Sequence, residues 1–270
     1  MALKKIKLSP EDRAFIRDGN DNGFGCGRIN DDGHLYLIDK NNQEAYLLPD
    51  CYANTPLCLY PSCGGYNDGL IMVSLLGQLD LQYFHNRYAA SGLWGWIDLE
   101  GHEVISPQYV YAMNFWNGRA VVCRGEWSVD GNGRYWCENE QWGMIDQQNK
   151  ELVPCRYDEL FEIDDTEQYV LCHKGGWENG GNCVYDIERQ QEIVDLDFYF
   201  DSGYMFNSCF YADGRIFFDE HVPGGEIDYI YVYSIAEGKW IAHREPYTER
   251  EYHGQKKMVV QKDGKDIIVF

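Results

Sequence analysis

One pattern of residues occurs twice in this chain and constrains its fold more than any other feature. The first copy begins Trp94-Gly95-Trp96-Ile97-Asp98 and ends at Tyr109, and the second begins Trp142-Gly143-Met144-Ile145-Asp146 and ends at Tyr157. In both copies the aspartate follows the first tryptophan by four residues and the tyrosine follows it by fifteen. The two aspartates are 48 residues apart, a spacing typical of repeated β-units that stack their small sheets against one another.

Weaker copies of the pattern lie before and after these two. In each, an Asp or Ser precedes a short polar stretch and then an apolar run, and the anchors are Asp39, Asp98, Asp146, Asp186 and Ser234. Successive anchors are separated by 59, 48, 40 and 48 residues, which predicts five units of blade-like length. We expect a single β-repeat domain over residues 1–270, with units at approximately 24–66, 67–123, 124–172, 173–218 and 219–270.

The repeated Asp is interpreted as a turn former rather than as a catalytic acid. Its carboxylate can accept hydrogen bonds from backbone N–H groups two or three residues further on. A later Gly or Asn then supplies the residue with positive φ, a role that suits Gly101, Asn149 and Asn42. Arg189 does not suit it, so the fourth turn is expected to differ.

Composition places the chain in the all-β class. Aromatic residues make up 15% of the sequence, with 21 Tyr, and such side chains favour strands. Asp-Gly pairs at residues 32–33, 213–214 and 263–264 predict hairpins. We expect tandem β-repeats forming a β-propeller of five blades, or six if the last hairpin stands alone, and a closed array would pair that hairpin with the first unit. Ser9-Pro10-Glu11-Asp12 predicts the start of a short N-terminal helix.

The Trp-Gly dipeptide has a structural interpretation and a functional one. A large indole can pack between neighbouring sheets, while a glycine lets another backbone pass close beside it. The alternative is that the indole forms a platform on which a ligand stacks. The structural interpretation is preferred because the dipeptide recurs.

These residues resemble the WG β-repeat family of bacterial proteins. The best match is residues 94–122, through Trp94-Gly95, Ile97-Asp98, Gly101, Pro107, Tyr109, Phe115, Gly118, Ala120 and Val122. Residues 142–170 match through Trp142-Gly143, Ile145-Asp146, Pro154, Tyr157-Asp158 and Phe161, and lack the later Gly-x-Ala. The resemblance implies a β-repeat scaffold without established chemistry, so it transfers no catalytic residue to this chain.

The net charge of −21 bears on the choice of partner. Nucleic acids and anionic membrane surfaces bind clusters of Lys and Arg, so neither is expected here. An acidic surface serves solubility, or it complements a basic protein and speeds association with it. With no apolar run of a signal peptide or membrane span, we expect a cytoplasmic protein whose ten cysteines are free thiols.

The sequence contains no recognisable catalytic, metal or cofactor motif. The seven histidines and ten cysteines lack metal-ligand spacing, and no nucleophile elbow or phosphate-binding loop is present. Residues 23–27, Gly-Phe-Gly-Cys-Gly, are interpreted as a turn, and the acidic stretches at 164–167 and 195–197 as solvated turns rather than calcium sites. No cofactor and no metal are expected.

The sequence therefore favours a non-enzymatic binding scaffold with a protein partner, for example as an immunity or antitoxin-type protein. The alternative is a carbohydrate-binding or carbohydrate-active propeller that uses paired carboxylates and aromatic loops. Loops at 49–66, 128–139 and 178–182 do not repeat, and such loops often carry function. The candidate partner-binding residues are Glu126, Trp127, Trp136, Glu138, Trp177 and Glu178.

Overall fold

The computed structural model of the protein is built from strands and turns. It describes residues 2–49, with gaps at 13, 17–22, 31, 33 and 35, and then residues 66–75, 92–132, 135–175, 181–196, 206–220, 228–252, 254–262 and 265–268. No helix occurs among these residues, so the all-β class is confirmed. The chain divides into two compact units, Met1–Arg156 and Tyr157–Phe270.

In the part of the first unit that the structure describes, the strands form three antiparallel sheets. The five-stranded first sheet has the order β1-β5-β4-β3-β2, and its strands are β1 (Lys4–Lys7), β2 (Ala14–Ile16), β3 (Phe24–Ile29), β4 (Tyr36–Asp39) and β5 (Glu44–Leu47). The second and third sheets have four strands each, in chain order. They are β6 (Tyr66–Asn67), β7 (Leu70–Leu75), β8 (Leu93–Ile97) and β9 (Glu103–Tyr109), then β10 (Tyr111–Ala112), β11 (Arg119–Val129), β12 (Tyr135–Asp146) and β13 (Glu151–Tyr157).

The second unit contains a four-stranded sheet and a six-stranded sheet, again in chain order. The strands of the four-stranded sheet are β14 (Glu159–Glu162), β15 (Tyr169–Lys174), β16 (Gly181–Asp186) and β17 (Gln191–Leu196). Those of the six-stranded sheet are β18 (Phe206–Ala212), β19 (Arg215–Glu220), β20 (Tyr229–Ser234), β21 (Lys239–Tyr252), β22 (Gln255–Lys262) and β23 (Lys265–Ile268). Tandem antiparallel sheets of this kind confirm the predicted β-repeats.

The C-terminal hairpin extends the last sheet. The first half of β21 pairs with β20, and Tyr247–Tyr252 then continue as the partner of β22. β22 pairs in turn with β23 through a two-residue connection between Lys262 and Lys265, which confirms the predicted hairpin. The long β21 thus supplies this hairpin with a neighbouring strand in its own sheet.

The predicted N-terminal helix is wrong. Ser9 donates its backbone N–H to the Asp12 carboxylate at 2.7 Å, and Asp12 donates its own N–H to the Ser9 carbonyl at 3.1 Å. A helix capping box contains the same bond from an N-cap N–H to a side chain three residues later, so the extended residues that follow are what exclude the helix. The chain then extends into β2, which pairs with β3.

The core of the first unit surrounds Trp96, which is 1% exposed. The rings of Tyr109 and Phe115 meet it edge to face, with centroids at 6.2 and 5.0 Å. Apolar residues of β7, β9, β11 and β12 complete this cluster, and they are Leu70, Met72, Ile105, Ala120, Val122 and Ile145. In the second unit the corresponding cluster includes Leu171, Val184, Ile216, Phe218 and Tyr231.

Candidate functional site

The Trp-Gly dipeptides are structural parts of the sheets. Trp94 is partly buried and packs against the core cluster, while Trp96 two residues later lies fully inside it. Trp142 is likewise half-buried and stacks on Tyr111, with ring centroids 5.7 Å apart and planes 2° from parallel. The indole N–H of Trp142 donates to Glu140 at 3.3 Å. These contacts support packing rather than a free stacking platform.

The glycine of each dipeptide is fixed by a close approach of the next strand. A Cβ on Gly95 would lie 2.4 Å from the Ile105 carbonyl oxygen and 2.6 Å from the Pro107 nitrogen. A Cβ on Gly143 would lie 2.7 Å from the Val153 carbonyl oxygen. Such distances exclude any side chain, so the repeated glycine reflects backbone packing.

The anchor aspartates form turns, as predicted. Asp98 accepts the His102 N–H at 2.8 Å, Asp146 accepts the N–H groups of Gln148 and Lys150 at 2.9 Å, and Asp39 accepts those of Asn41 and Asn42 at 2.9 and 3.0 Å. Asp186 and Ser234 accept from Arg189 and Glu237 at 3.0 and 3.2 Å. The side-chain oxygens of all five anchors accept hydrogen bonds from backbone N–H groups of their own turns, so the interpretation as turn formers is confirmed.

The turns fall into two lengths. In the two Trp-Gly units the residue with positive φ is the third after the anchor, as predicted for Gly101 (82°) and Asn149 (62°). In the turns led by Asp39, Asp186 and Ser234, the residue with positive φ is the fourth after the anchor. These residues are Gln43, Gln190 and Gly238. The prediction of Asn42 is therefore wrong by one residue, because β4 and β5 pair Asp39 with Glu44 and leave four residues in the loop.

The surface that does not repeat is a ribbon formed by the outer halves of β11 and β12. Its pairs run from Glu126–Glu138 to Val129–Tyr135, whereas the last pair of β10 is Tyr111 with Cys123. Residues 128–139 were expected to be a loop, and this expectation is wrong for most of them. Gly131 and Asn132 lie in the turn at the tip of the ribbon, whereas Asn139 lies within β12, and residues 128–129 and 135–138 continue the ladder.

Three of the six predicted binding residues meet on one face of this ribbon. Glu126 and Glu138 are direct cross-strand partners, and Trp136 lies two residues from Glu138 and opposite Ser128. Because alternate residues share a face, all three side chains project from the same side. Glu126 and Glu138 are exposed, and Trp136 is 41% exposed. We call Glu126, Trp136 and Glu138 the ribbon face.

The other predicted residues lie elsewhere. Trp127 projects from the opposite side, where its indole N–H donates to the Gly92 carbonyl at 3.1 Å and its ring meets Tyr111 at 5.5 Å. That side chain is therefore a packing residue. Trp177 and Glu178 fall outside the described residues, as do residues 50–65 of the first predicted loop.

Charge on the ribbon face is one-sided. Like charges placed directly opposite one another on a ladder repel, and Glu126 and Glu138 are so placed. Arg124 shares their face but forms an ion pair with Glu151 at 3.0 Å. Within the described part of the chain, no ion pair neutralises Glu126 or Glu138. The ribbon face thus places an exposed aromatic ring beside two carboxylates that no described cation pairs with.

Elsewhere the chain binds its own cations with a ring and a carboxylate together. Arg244 donates to buried Glu220 at 2.9 and 3.1 Å, and its guanidinium lies 4.2 Å from the Tyr229 ring centroid. The hydrogen bond to Glu220 raises the pKa of Arg244. Arg124 lies 6.0 Å from the Tyr109 ring in addition to its bond with Glu151.

A third example uses lysine on an edge strand. Lys5 of β1 bonds Glu44 at 2.6 Å and lies 5.7 Å from the ring of Tyr46, its direct cross-strand partner. Glu44 and Tyr46 are two residues apart on one strand, as Trp136 and Glu138 are. The sequence contained this signal, an aromatic and an acid two residues apart on a strand, although sequence reasoning placed the ribbon residues in loops.

Among the described cysteines, Cys137 and Cys155 are half-buried, and Cys183 lies beside two carboxylates. Burial raises the pKa of Cys137 and of Cys155 to about 11, so both thiols stay protonated at neutral pH. Cys183, Glu192 and Asp195 lie close enough to share a cation, but the ammonium of Lys174 bonds Glu192 at 2.7 Å and Asp195 at 2.6 Å. This cluster is therefore compensated by a cation of the chain itself.

Fold and surface together define an all-β tandem-repeat protein with an acidic, aromatic ribbon on one of its sheets. Within it, residues 94–126 and 142–165 match the family described as WG containing repeat, so the predicted WG repeats are confirmed there. Each match covers the last two strands of one sheet and continues into the sheet that follows. The sequence repeat is thus offset from the structural sheet by two strands.

Other comparisons give distant similarities. No curated protein matches the sequence. Among solved structures, the chain is similar to a Dos1 propeller (11% identity, 93% of this chain and 65% of that chain, TM-score 0.39). It is also similar to a putative TolB from Agrobacterium tumefaciens (8%, 84% and 78%, TM-score 0.31) and to an oligogalacturonate lyase in complex with manganese (11%, 98% and 96%, TM-score 0.33). In the described residues, no helix has the length and apolar character needed to span a bilayer.

Proposed function

We propose that this protein is a non-enzymatic scaffold that binds a protein partner through the ribbon face. The observation that carries the proposal is the direct pairing of Glu126 with Glu138 beside exposed Trp136. A like-charge pair weakens its own ladder, so its presence is explained by a partner that neutralises it. Aromatic residues are also enriched among the residues that contribute most to protein interfaces.

The setting of these carboxylates favours binding over acid–base chemistry. A catalytic acid keeps its proton at neutral pH because an apolar pocket surrounds it. Glu126 and Glu138 instead lie exposed on a strand face. The net charge of −21 adds long-range attraction for a basic partner, such as a toxin neutralised by an immunity-type protein.

Capture of partners by the immobilised full chain tests this proposal. The test variant combines Trp136→Ala, Glu126→Gln and Glu138→Gln. Its matched control combines Trp116→Ala, Glu162→Gln and Glu188→Gln, which removes one exposed indole and two exposed carboxylates elsewhere. We expect a protein that the wild type and the control retain from a source-cell extract at low salt, and that the test variant loses. Equal retention by all three proteins would contradict the proposal.

A further inference from the structure

We infer that the ribbon face binds an arginine side chain on a basic segment of the partner, an inference that rests on the proposed function and names its chemistry. The guanidinium would stack on the Trp136 indole and donate to Glu126 and Glu138. Both carboxylates can reach one guanidinium because Glu126 and Glu138 are direct cross-strand partners. Trp136 lies on the same face, two residues from Glu138.

The chain itself supplies the precedent. Arg244 with Tyr229 and Glu220, Arg124 with Tyr109 and Glu151, and Lys5 with Tyr46 and Glu44 each combine a cation, a ring and a carboxylate. The ribbon face presents the ring and two carboxylates, and Arg124, the one basic residue among its described neighbours on that side, is already bound to Glu151. Among the described residues, the ribbon face therefore presents the ring and the carboxylates of such a site without a cation of its own.

Arginine fits this arrangement better than lysine. A guanidinium is planar, so it stacks on an indole and at the same time presents several N–H donors at its edge. Two carboxylates on opposite strands match such a fork, whereas an ammonium acts as a compact point charge. The Trp136 indole is 41% exposed and its cross-strand partner Ser128 is small, so part of the ring surface is available to a guanidinium.

The test uses full-length protein with 15N-labelled tryptophan and three short peptides. These are acetyl-Gly-Ser-Arg-Ser-Gly-amide and its counterparts with lysine or citrulline in place of arginine. The indole N–H signal of Trp136, assigned with Trp136→Phe, is followed during titration to about 10 mM, since one stacked and paired side chain binds weakly. Citrulline keeps the shape of arginine but removes its charge.

We expect the arginine peptide to shift the Trp136 signal saturably, the lysine peptide to bind more weakly and the citrulline peptide not to bind. Glu126→Gln with Glu138→Gln should weaken binding about ten-fold, and Trp136→Ala, followed by calorimetry, about three-fold. The charge-matched control, Glu162→Gln with Glu188→Gln, should bind as the wild type does. The two glutamine substitutions remove a repulsive pair, so this variant should fold.

Three results would overturn the inference: no shift of Trp136, equal binding of the lysine peptide, or equal weakening by the charge-matched control. These outcomes are separable from failure of the proposed function. If the ribbon-face variant loses a captured partner while the arginine peptide fails to bind, the scaffold stands and the arginine chemistry is wrong. If neither partner nor peptide depends on the ribbon face, both are wrong.

Discussion

At the residue scale, the glycine of each Trp-Gly dipeptide is fixed by the backbone that passes beside it. The next strand approaches Gly95 and Gly143 so closely that a methyl group would overlap a carbonyl oxygen and a backbone nitrogen. The preceding tryptophan is only half-buried, and the residue two positions later, Trp96 or Met144, fills the core. The dipeptide thus sets the distance between two strands, while the neighbouring side chain supplies most of the burial.

Gly143→Ala should lower the free energy of unfolding by about 2 kcal/mol, because the added methyl group forces the β12–β13 pair apart. Urea unfolding followed by tryptophan fluorescence measures the loss. Gly131→Ala is the matched control, since nothing lies within 4 Å of its Cβ position, and it should change stability by less than about 0.5 kcal/mol. Similar losses in the two variants would show that the close approach is not responsible.

Asp98→Ala should destabilise the protein by about 1 kcal/mol at neutral pH, and the difference from wild type should vanish in acid. Burial alone would raise the pKa of Asp98, but hydrogen bonds from His102 outweigh it and lower the pKa. A lowered pKa means stability that is present above the usual carboxyl range and is lost as pH falls through it. Urea unfolding at pH 7, 4 and 3 measures this, with Glu100→Ala in the same turn as control. A difference that persists at pH 3 would contradict the charge-based role.

At the element scale, the ribbon is the part of β11 and β12 that extends past the neighbouring strands of their sheet. β11 and β12 are longer than their neighbours, and a bulge at Arg124–Glu126 interrupts their register before the ribbon begins. The bulge re-aims the strands and so decides which side chains emerge together. Glu126, Trp136 and Glu138 reach solvent, while Trp127 turns back onto Tyr111.

Glu138→Lys should raise stability and abolish binding at once. A lysine opposite Glu126 replaces repulsion by attraction, which is worth about 0.5 kcal/mol across a ladder. The same change puts a positive charge where a basic partner docks. Urea unfolding and capture assays measure the two effects, and Glu138→Gln should fall between wild type and Glu138→Lys in both. A loss of stability in Glu138→Lys would show that the pair is not repulsive.

At the scale of the whole molecule, the apolar clusters stabilise the fold, whereas the excess negative charge acts on the surroundings of the protein. Each compact unit has its own buried clusters, formed around Trp96 in the first and around Phe218 in the second. The excess of 44 acidic over 23 basic residues contributes little to these cores, because the charged side chains lie mainly outside them. Its physical effect is a field that attracts positive charge over distances of about a Debye length.

Salt should therefore act on the rate of association with the captured partner. Between about 20 and 300 mM salt we expect the association rate constant to fall about ten-fold, with a smaller change in dissociation. Trp136→Ala should do the reverse, because it removes a contact made only after docking. Stopped-flow or surface-based kinetics separates the two constants. A salt effect confined to dissociation would mean that long-range charge does not steer the encounter.

Local chemistry in the sequence was enough to predict the all-β class, the Asp-led turns and their repetition. Gly101 and Asn149 follow from the backbone preferences of single residues, which act over a few positions. The N-terminal helix was mispredicted because the bond from the Ser9 N–H to the Asp12 carboxylate can close a single turn as well as cap a helix, and the pairing of β2 with β3 selects the turn. Asn42 was mispredicted because loop length depends on how β4 and β5 pair, which the loop residues do not specify.

For the candidate site, too, the sequence indicated some features and the tertiary structure determined the others. From the sequence alone, Trp136 and Glu138 lie in an unrepeated loop, and Glu126 is a candidate binding residue at the end of the strand before it. Only the tertiary structure made them one face and sent Trp127 to the other, because the register of β11 against β12 and the bulge within it arise from pairing between distant residues. The sequence determines local preferences such as turns and strands. The neighbours of each side chain depend on the pairing of strands that are distant in sequence, and this pairing exists only in the folded chain.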